Sequence, residues 1–334
     1  MKKEMDKKIL ITGACGMMGS HMIDFYSTMG KTVYGTFYKP TTNLSEYSHK
    51  AIMEECDVRY FYPVFKIISS IKPDVIFHLA AQSYPTVSID RPQETFDTNV
   101  NGTINVFESI KEIRKTDRHY DPIVVVACSS AEYGSSLTPD NVPIPEDVAL
   151  LPVHPYGITK VAQDMLSYQY FLNDKIKAIR ARIFNTTGPR KVNDVVSDFT
   201  KRAVLIDQGE ESVFKVGNVN AKRAITDVRD LIQAMFLLAE KGRPGEVYNI
   251  SGSKVYQVSE IIRLIEKIMG RDFEIQTDPS LMRPTDEPII YGDSSRLIKD
   301  TGWKQQYSLE QTISDMLVYW QIQLGTNKRE LVEK

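Results

Sequence analysis

Residues 8–23 read KILITGACGMMGSHMI, and this stretch decides the fold. Lys8 to Thr12 has the pattern of a short buried strand. Gly13-Ala14-Cys15-Gly16-Met17-Met18-Gly19 follows directly, and Ser20-His21-Met22-Ile23 opens a helical pattern. A strand, a glycine turn and a helix in that order aim backbone N–H groups and the positive end of a helix at a pyrophosphate. The glycines are spaced G-x-x-G-x-x-G, so the usual G-x-G-x-x-G fingerprint is not matched as written. Further strand patterns run from Lys31 to Phe37, from Asp74 to Leu79 and from Ile123 to Cys128, with helical stretches around 93–114 and 156–172. The alternation predicts an α/β fold with a parallel sheet covered on both faces.

The segment Tyr156-Gly157-Ile158-Thr159-Lys160 adds chemistry. Residues four apart are neighbours on a helix, so Tyr156 and Lys160 share a face. A cation beside a phenol favours the phenolate, which predicts a lowered tyrosine pKa and a proton that can be traded with a substrate hydroxyl or carbonyl. By itself this spacing is common on solvated helix faces; the glycine turn and the Ser-Ser-rich strand end before it give it meaning.

A chain of 334 residues can hold one large core and a smaller lobe. A formal net charge of −2 proposes no nucleic-acid or anionic-membrane partner. Cys15, Cys56 and Cys128 lack metal-ligand spacing and read as reduced thiols in a core, which suits a cytoplasmic setting. The start, MKKEMDKK, precedes no long apolar run, so neither a signal peptide nor a membrane span is expected. His21, His78 and His154 have no partner spacing, and no metal site is expected; His78, inside a strand pattern, reads as a satisfied core histidine.

The motifs occur in a recognisable order: GACGMMG, Asp57-Val58-Arg59, His78-Leu79-Ala80-Ala81-Gln82, Asn99-Val100-Asn101-Gly102-Thr103, the SSAEYG segment and Tyr156-x-x-x-Lys160. Over roughly residues 6 to 325 the chain resembles the extended short-chain dehydrogenases/reductases. Arg182-Ile183-Phe184-Asn185-Thr186-Thr187-Gly188-Pro189-Arg190, Val216-Gly217-Asn218, Thr226-Asp227-Val228-Arg229-Asp230 and Arg283-Pro284-Thr285-Asp286 look like the branch acting on GDP-sugars, which holds GDP-4-keto-6-deoxy-mannose reductases and GDP-mannose 4,6-dehydratases. The resemblance implies a Rossmann-type doubly wound sheet in residues 1–182, with strands added from about 216–250. It also implies a smaller, interleaved nucleotide-sugar lobe mainly in 183–325, then a charged tail in 326–334. It further implies a homodimer or tetramer built on the apolar faces of the helices near 93–114 and 156–172.

Site residues follow from the same resemblance. Ser129, Tyr156 and Lys160 are the expected catalytic residues. Gly13, Gly16, Met17, Met18 and Gly19 are expected at the cofactor, with Met17 and Met18 packing under the turn. Lys39, Asp57, Val58, Leu79, Ala80, Ala81 and Asn99 complete that set, Asp57 as the adenine-contacting acid. Asn185, Arg190, Lys222, Arg223 and Arg283 are expected to hold the substrate, since guanidinium groups suit a diphosphate. After Arg223 the branch tends to an acid and an aromatic, where Ala224-Ile225 stands here, which leaves the sugar pocket open.

Which reaction runs on this scaffold turns on one position. Dehydratases of the branch resemble T-S-E-x-Y-G or T-D-E-x-Y-G; here the alignment gives Ser129-Ser130-Ala131-Glu132-Tyr133-Gly134, so Ala131 stands in place of the base glutamate. A methyl group takes no proton. Glu132, one residue along a strand-like segment, points the other way unless a bulge re-aims it. The expectation is reduction of the C4 ketone of a GDP-linked 4-keto-6-deoxy sugar by NAD(P)H. A 4,6-dehydratase acting on GDP-mannose or GDP-N-acetylglucosamine, with Glu132 in the site, and a 4-epimerase are alternatives; a non-catalytic nucleotide sensor is a distant one. No acid follows the second strand, and Lys39 with Thr41 and Thr42 can receive a 2′-phosphate, which favours NADP over NAD.

Overall fold

A computed structural model of the chain describes residues 7–281 and 287–332. Seven strands form its central sheet: β1 (Ile9–Thr12), β2 (Val33–Phe37), β3 (Ala51–Glu55), β4 (Val75–His78), β5 (Ile123–Ser129), β6 (Lys177–Ile183) and β7 (Val247–Ile250). Their order is β7-β6-β5-β4-β1-β2-β3, with every pairing parallel. The strands are nearly continuous apolar runs because both faces are covered. Ile9, Ile11, Phe77, Val125 and Ile179 pack on one face, against Met22, Ile23 and Tyr26 of α1 (Met17–Thr28) and Leu231, Met235 and Leu238 of α5 (Val228–Lys241). Leu10, Ile76, Val124, Val126 and Ala178 face the other side. They meet α2 (Phe61–Ile71), α3 (Gly102–Thr116) and Tyr170 of α4 (Pro155–Asp174). Each fully buried side chain of this kind contributes about 1.5–3 kcal/mol. This is the doubly wound arrangement, and strand order reverses between β1 and β4, where such sheets open a crevice at their carboxyl ends.

The second lobe has its own core, built from helices Val195–Asp207, Val258–Met269 and Leu309–Val332. The chain enters it after β6, returns to the sheet for α5 and β7, leaves again, and comes back once more with helix Ser295–Thr301, whose Leu297 packs in the sheet's core. From the 216–250 stretch β7 joins the central sheet, while Phe214–Val216 pairs with Ile275–Thr277 inside the lobe. No helix among the described residues is long and apolar enough to cross a membrane.

His78 shows how a polar group is accommodated at the centre. It is buried at the end of β4, with Nδ1 2.8 Å from Thr12 Oγ1 and Nε2 3.1 Å from Thr103 Oγ1. Burial pushes its pKa down to about 3. The unfolded histidine takes a proton below its ordinary value of 6.5 while the folded one does not. Stability is therefore intact above that pH and is lost as pH falls toward the folded value, by about 1.4 kcal/mol per unit. Urea unfolding at pH 7 and pH 5 should show this slope, and His78→Asn should reduce it to what His21, whose pKa burial also lowers, contributes.

Candidate active site

The glycine turn sits where the reversed strands part. Gly13 has φ +69°, and a Cβ there would lie 2.7 Å from Ala80 N; one at Gly19 would lie 2.5 Å from Gly13 O. The turn is thus pressed against the Leu79-Ala80-Ala81 segment after β4, and no side chain fills the cradle. Gly16 is the N-cap of α1 and offers no side chain to its first-turn N–H groups. Uncapped amides at a positive helix end are the donor set a pyrophosphate needs, so these residues fit a dinucleotide.

A cavity of about 810 Å³ runs from this turn, past Ser129, Tyr156 and Lys160, to the lobe. Gly13, Gly16, Met17, Met18 and Gly19 line its near end, with Lys39, Asp57 and Val58 beside them. Asn185, Arg190 and Arg223 line it toward the lobe. Asn185 Oδ1 itself is buried without a protein hydrogen-bond partner.

The catalytic triplet comes together from two elements. β5 ends at Ser129, which caps the 3-10 turn Ser130–Glu132, its Oγ accepting from Ala131 N at 3.2 Å. Pro155 starts α4, and the His154 ring caps it through Nδ1, accepting from Gly157 N at 3.0 Å. The Ser129 hydroxyl lies beside the Tyr156 phenol, close enough to favour its ionised form. Lys160 donates to Ala127 O at 2.8 Å and stands 5.6 Å from the centre of the Tyr156 ring. A Cβ on Gly157 would come within 2.6 Å of Ala131 O, so only glycine lets turn and helix approach this closely.

The expected lowering of the tyrosine pKa is overturned. Tyr156 keeps part of its surface on the cavity, yet the protein around it desolvates the phenolate and pushes its pKa up to about 12, against the help of Ser129. Burial likewise lowers Lys160 to about 8. Desolvation outweighs the neighbouring cation because the ammonium is turned to Ala127 O rather than to the phenol oxygen.

Several expected contacts are placed differently. Lys222 is exposed on strand Lys222–Ala224 and does not line the cavity; it alternates with Arg223, which is buried and donates to Glu287 O at 2.8 Å. Arg190 spends Nε on Glu46 Oε2 (2.7 Å) and Nη1 on Asp24 Oδ2 (2.6 Å), which makes it a strut between the lobe and α1 more than a phosphate grip. Asn99 does not line the cavity. It lies in a π-helical turn, Asp97–Asn101, where its side chain accepts from Gln82 N and donates to Gln82 O and Thr159 Oγ1, holding the loop after β4 against α4. Arg283 lies outside the described residues.

Glu132 is turned away from the cavity, by a different route from the expected one. The segment is a 3-10 turn rather than a strand, and the carboxylate is wholly buried, accepting from Ser129 N at 2.8 Å and facing Arg182 Nε at 3.1 Å. Cys128, Glu132 and Asp164 bring potential ligand atoms within 4.8 Å of one another, but both carboxylates face guanidinium groups, Arg182 and Arg180. Arg59, part of the Asp57-Val58-Arg59 motif but given no role in the sequence, lines the cavity, clamps Asp57 (Nε to Oδ1 2.9 Å) and lies 5.6 Å from the Tyr38 ring, on which Lys39 also sits. Burial would raise the Asp57 pKa; Arg59 outweighs it and holds the carboxyl low. The signal available was a cation two residues beyond the acid.

A family model described as GDP-mannose 4,6 dehydratase matches residues 10–316. A GDP-6-deoxy-D-mannose reductase of Pseudomonas aeruginosa is 25% identical over 319 residues, covering 95% of this chain and 98% of its own. A GDP-mannose 4,6 dehydratase of Arabidopsis thaliana is 26% identical over 346 residues, covering 98% of this chain and 90% of its own. Among solved structures, a UDP-glucose 4-epimerase of Thermotoga maritima, bound to UDP-glucose, superposes with a TM-score of 0.86 at 26% identity over 95% of this chain and 99% of that one.

Proposed function

The chain belongs to the GDP-mannose 4,6-dehydratase family, and from that premise we propose that it is a reductase, converting the C4 ketone of a GDP-linked 4-keto-6-deoxy sugar to an alcohol. One observation carries this choice. At the position where a dehydratase presents a carboxylate, Ala131 lines the cavity, and Glu132, the only carboxylate of the turn, is locked into the core by Ser129 N and Arg182. Elimination of water needs a base beside the sugar; reduction of a ketone does not.

The nicotinamide supplies the hydride when bound. Tyr156 Oη then gives its proton to the carbonyl oxygen, and a pKa near 12 keeps that proton in place at neutral pH until the oxygen becomes basic. Ser129 Oγ hydrogen-bonds the same oxygen as it gains charge, which counts directly toward rate. Lys160, whose ammonium is held by Ala127 O on the cavity wall, can donate to the cofactor's ribose. Asn185 and Arg223 face the cavity for the diphosphate, and the names of the curated relatives support a GDP-sugar.

For the cofactor we favour NADP. β2 closes at Phe37; Tyr38 and Lys39 follow without an acid, and Lys39 with Arg59 flanks the Tyr38 ring at the cavity rim. The ratio of kcat/KM for NADPH over NADH is expected to exceed about tenfold and to fall at least fivefold in Lys39→Ala, in line with charge-assisted contacts to one phosphate; a ratio near unity would favour NAD. A homodimer is the expected assembly, since Ile158, Met165, Tyr168 and Leu172 form an exposed stripe on α4; sedimentation equilibrium decides it.

The family name keeps a second reading open, a 4,6-dehydratase. Incubation with GDP-mannose or GDP-N-acetylglucosamine, without added reductant, separates the two. Unchanged mass is expected, and loss of one water would establish the dehydratase.

A further inference from the structure

Beneath the triplet, three elements meet at one guanidinium. Arg182 on β6 directs Nε to Asp164 Oδ2 at 2.9 Å and stands 3.1 Å from Glu132 Oε2. Asp164 lies on α4, four residues beyond Lys160 and eight beyond Tyr156, on the same side of the helix. The other oxygen of Glu132 accepts the Ser129 amide at 2.8 Å. A continuous path thus runs from the Ser129 backbone through Glu132, Arg182 and Asp164 to the helix that carries Tyr156 and Lys160.

We propose that Glu132 is a positioning residue, fixing the Ser129 hydroxyl relative to Tyr156 by anchoring the Ser129 amide to the Arg182–Asp164 pair. Its carboxylate touches no part of the cavity, so it acts through Ser129 and not on the substrate. A three-residue 3-10 turn is weakly determined by its own hydrogen bonds. An apolar residue at 132 would fill the space but leave the buried Ser129 amide without an acceptor, and buried ion pairs seldom add net stability over apolar packing. What the carboxyl group supplies is geometry, and a displacement on the order of 1 Å at a reacting group costs about a hundredfold in rate. Gly157 serves the same end, since its missing side chain lets the Ala131 carbonyl close on α4.

The test is a kinetic double-mutant cycle with Ser129→Ala and Glu132→Gln, using NADPH and a GDP-4-keto-6-deoxy sugar. Glu132→Gln should lower kcat about tenfold, with both KM values within about threefold of wild type; in the Ser129→Ala background the same change should cost less than about twofold. Equal losses in both backgrounds would overturn the proposal, as would an unchanged kcat. Near-UV circular dichroism and cofactor binding report on folding; if Glu132→Gln does not fold, Glu132→Asp, which retracts the carboxylate, is held to the same cancellation. The proposal rests on the reductase reading. A wild-type enzyme that consumes no NADPH sinks both, whereas additive losses in an active enzyme sink only the role of Glu132.

Discussion

Tyr156→Phe is expected to lower kcat by about 10²–10⁴-fold, the usual range for loss of a positioned proton donor, while the dissociation constant of the cofactor changes little. The ring itself remains, and so do its stacking on His154 and the helix start held by Ser88 Oγ at 3.0 Å from Tyr156 N. Only the hydroxyl that Ser129 contacts is removed. Because burial holds the wild-type phenol protonated well above neutrality, titration of Tyr156 should leave kcat unchanged across pH 6 to 9, and a fall in kcat toward the alkaline end of that range would report Lys160, which burial lowers to about 8. Stopped-flow hydride transfer and fluorescence titration of the cofactor separate the two effects. Weakened cofactor binding with unchanged turnover would remove Tyr156 from the chemistry.

Arg182→Met should be the most destabilising single change near the site, by about 3–5 kcal/mol, because removing one member of a buried ionic group leaves the others uncompensated. The guanidinium faces Asp164 and Glu132, donates to Tyr133 Oη and Glu146 O at 2.9 Å each, and lies 5.1 Å from the centre of the Tyr133 ring. Methionine fills much of the volume and satisfies none of these oxygens. Arg180 still pairs with Asp164 at 2.6 Å, so the stranded charge is mainly that of Glu132. Its pKa, already raised by burial, should rise further. Burial already raises the wild-type carboxyl to about 8, so wild type and folded variant both hold that proton at lower pH, and the deficit should shrink as pH falls toward 8 and level off below it. Adding Glu132→Gln to Arg182→Met should recover part of the loss in urea unfolding. A deficit below about 1 kcal/mol would mean that the group is not ion-paired in solution.

The parts of the fold carried by spacing were legible in the sequence. GACGMMG between an apolar run and a helical pattern located the crevice, and Tyr156 with Lys160 fell on one face of α4, because both depend on local geometry alone. What depends on burial was not. A lysine beside a phenol argued for a lowered pKa, and the desolvation that reverses it exists only once β5, α4 and the loop after β4 have packed together. Ala131 against Glu132 was separated correctly, yet by assuming a strand where a 3-10 turn forms. Lys222 and Arg223 looked equivalent, although alternation along a strand sends them to opposite sides. Arg180 and Arg182, alternating in KAIRARI at 177–183, gave a signal that went unused: two cations on one face of a buried strand require partners, and Asp164 and Glu132 are those partners.

The central claim is hydride delivery to C4 of a sugar that enters as a ketone. Its most direct measurement supplies a GDP-4-keto-6-deoxy sugar with NADPH deuterated at the transferred position and reads the product by mass spectrometry and proton NMR. Reduction predicts one deuterium, at C4, with one NADPH consumed per product. No consumption of NADPH, together with loss of water from GDP-mannose in the absence of reductant, would contradict it.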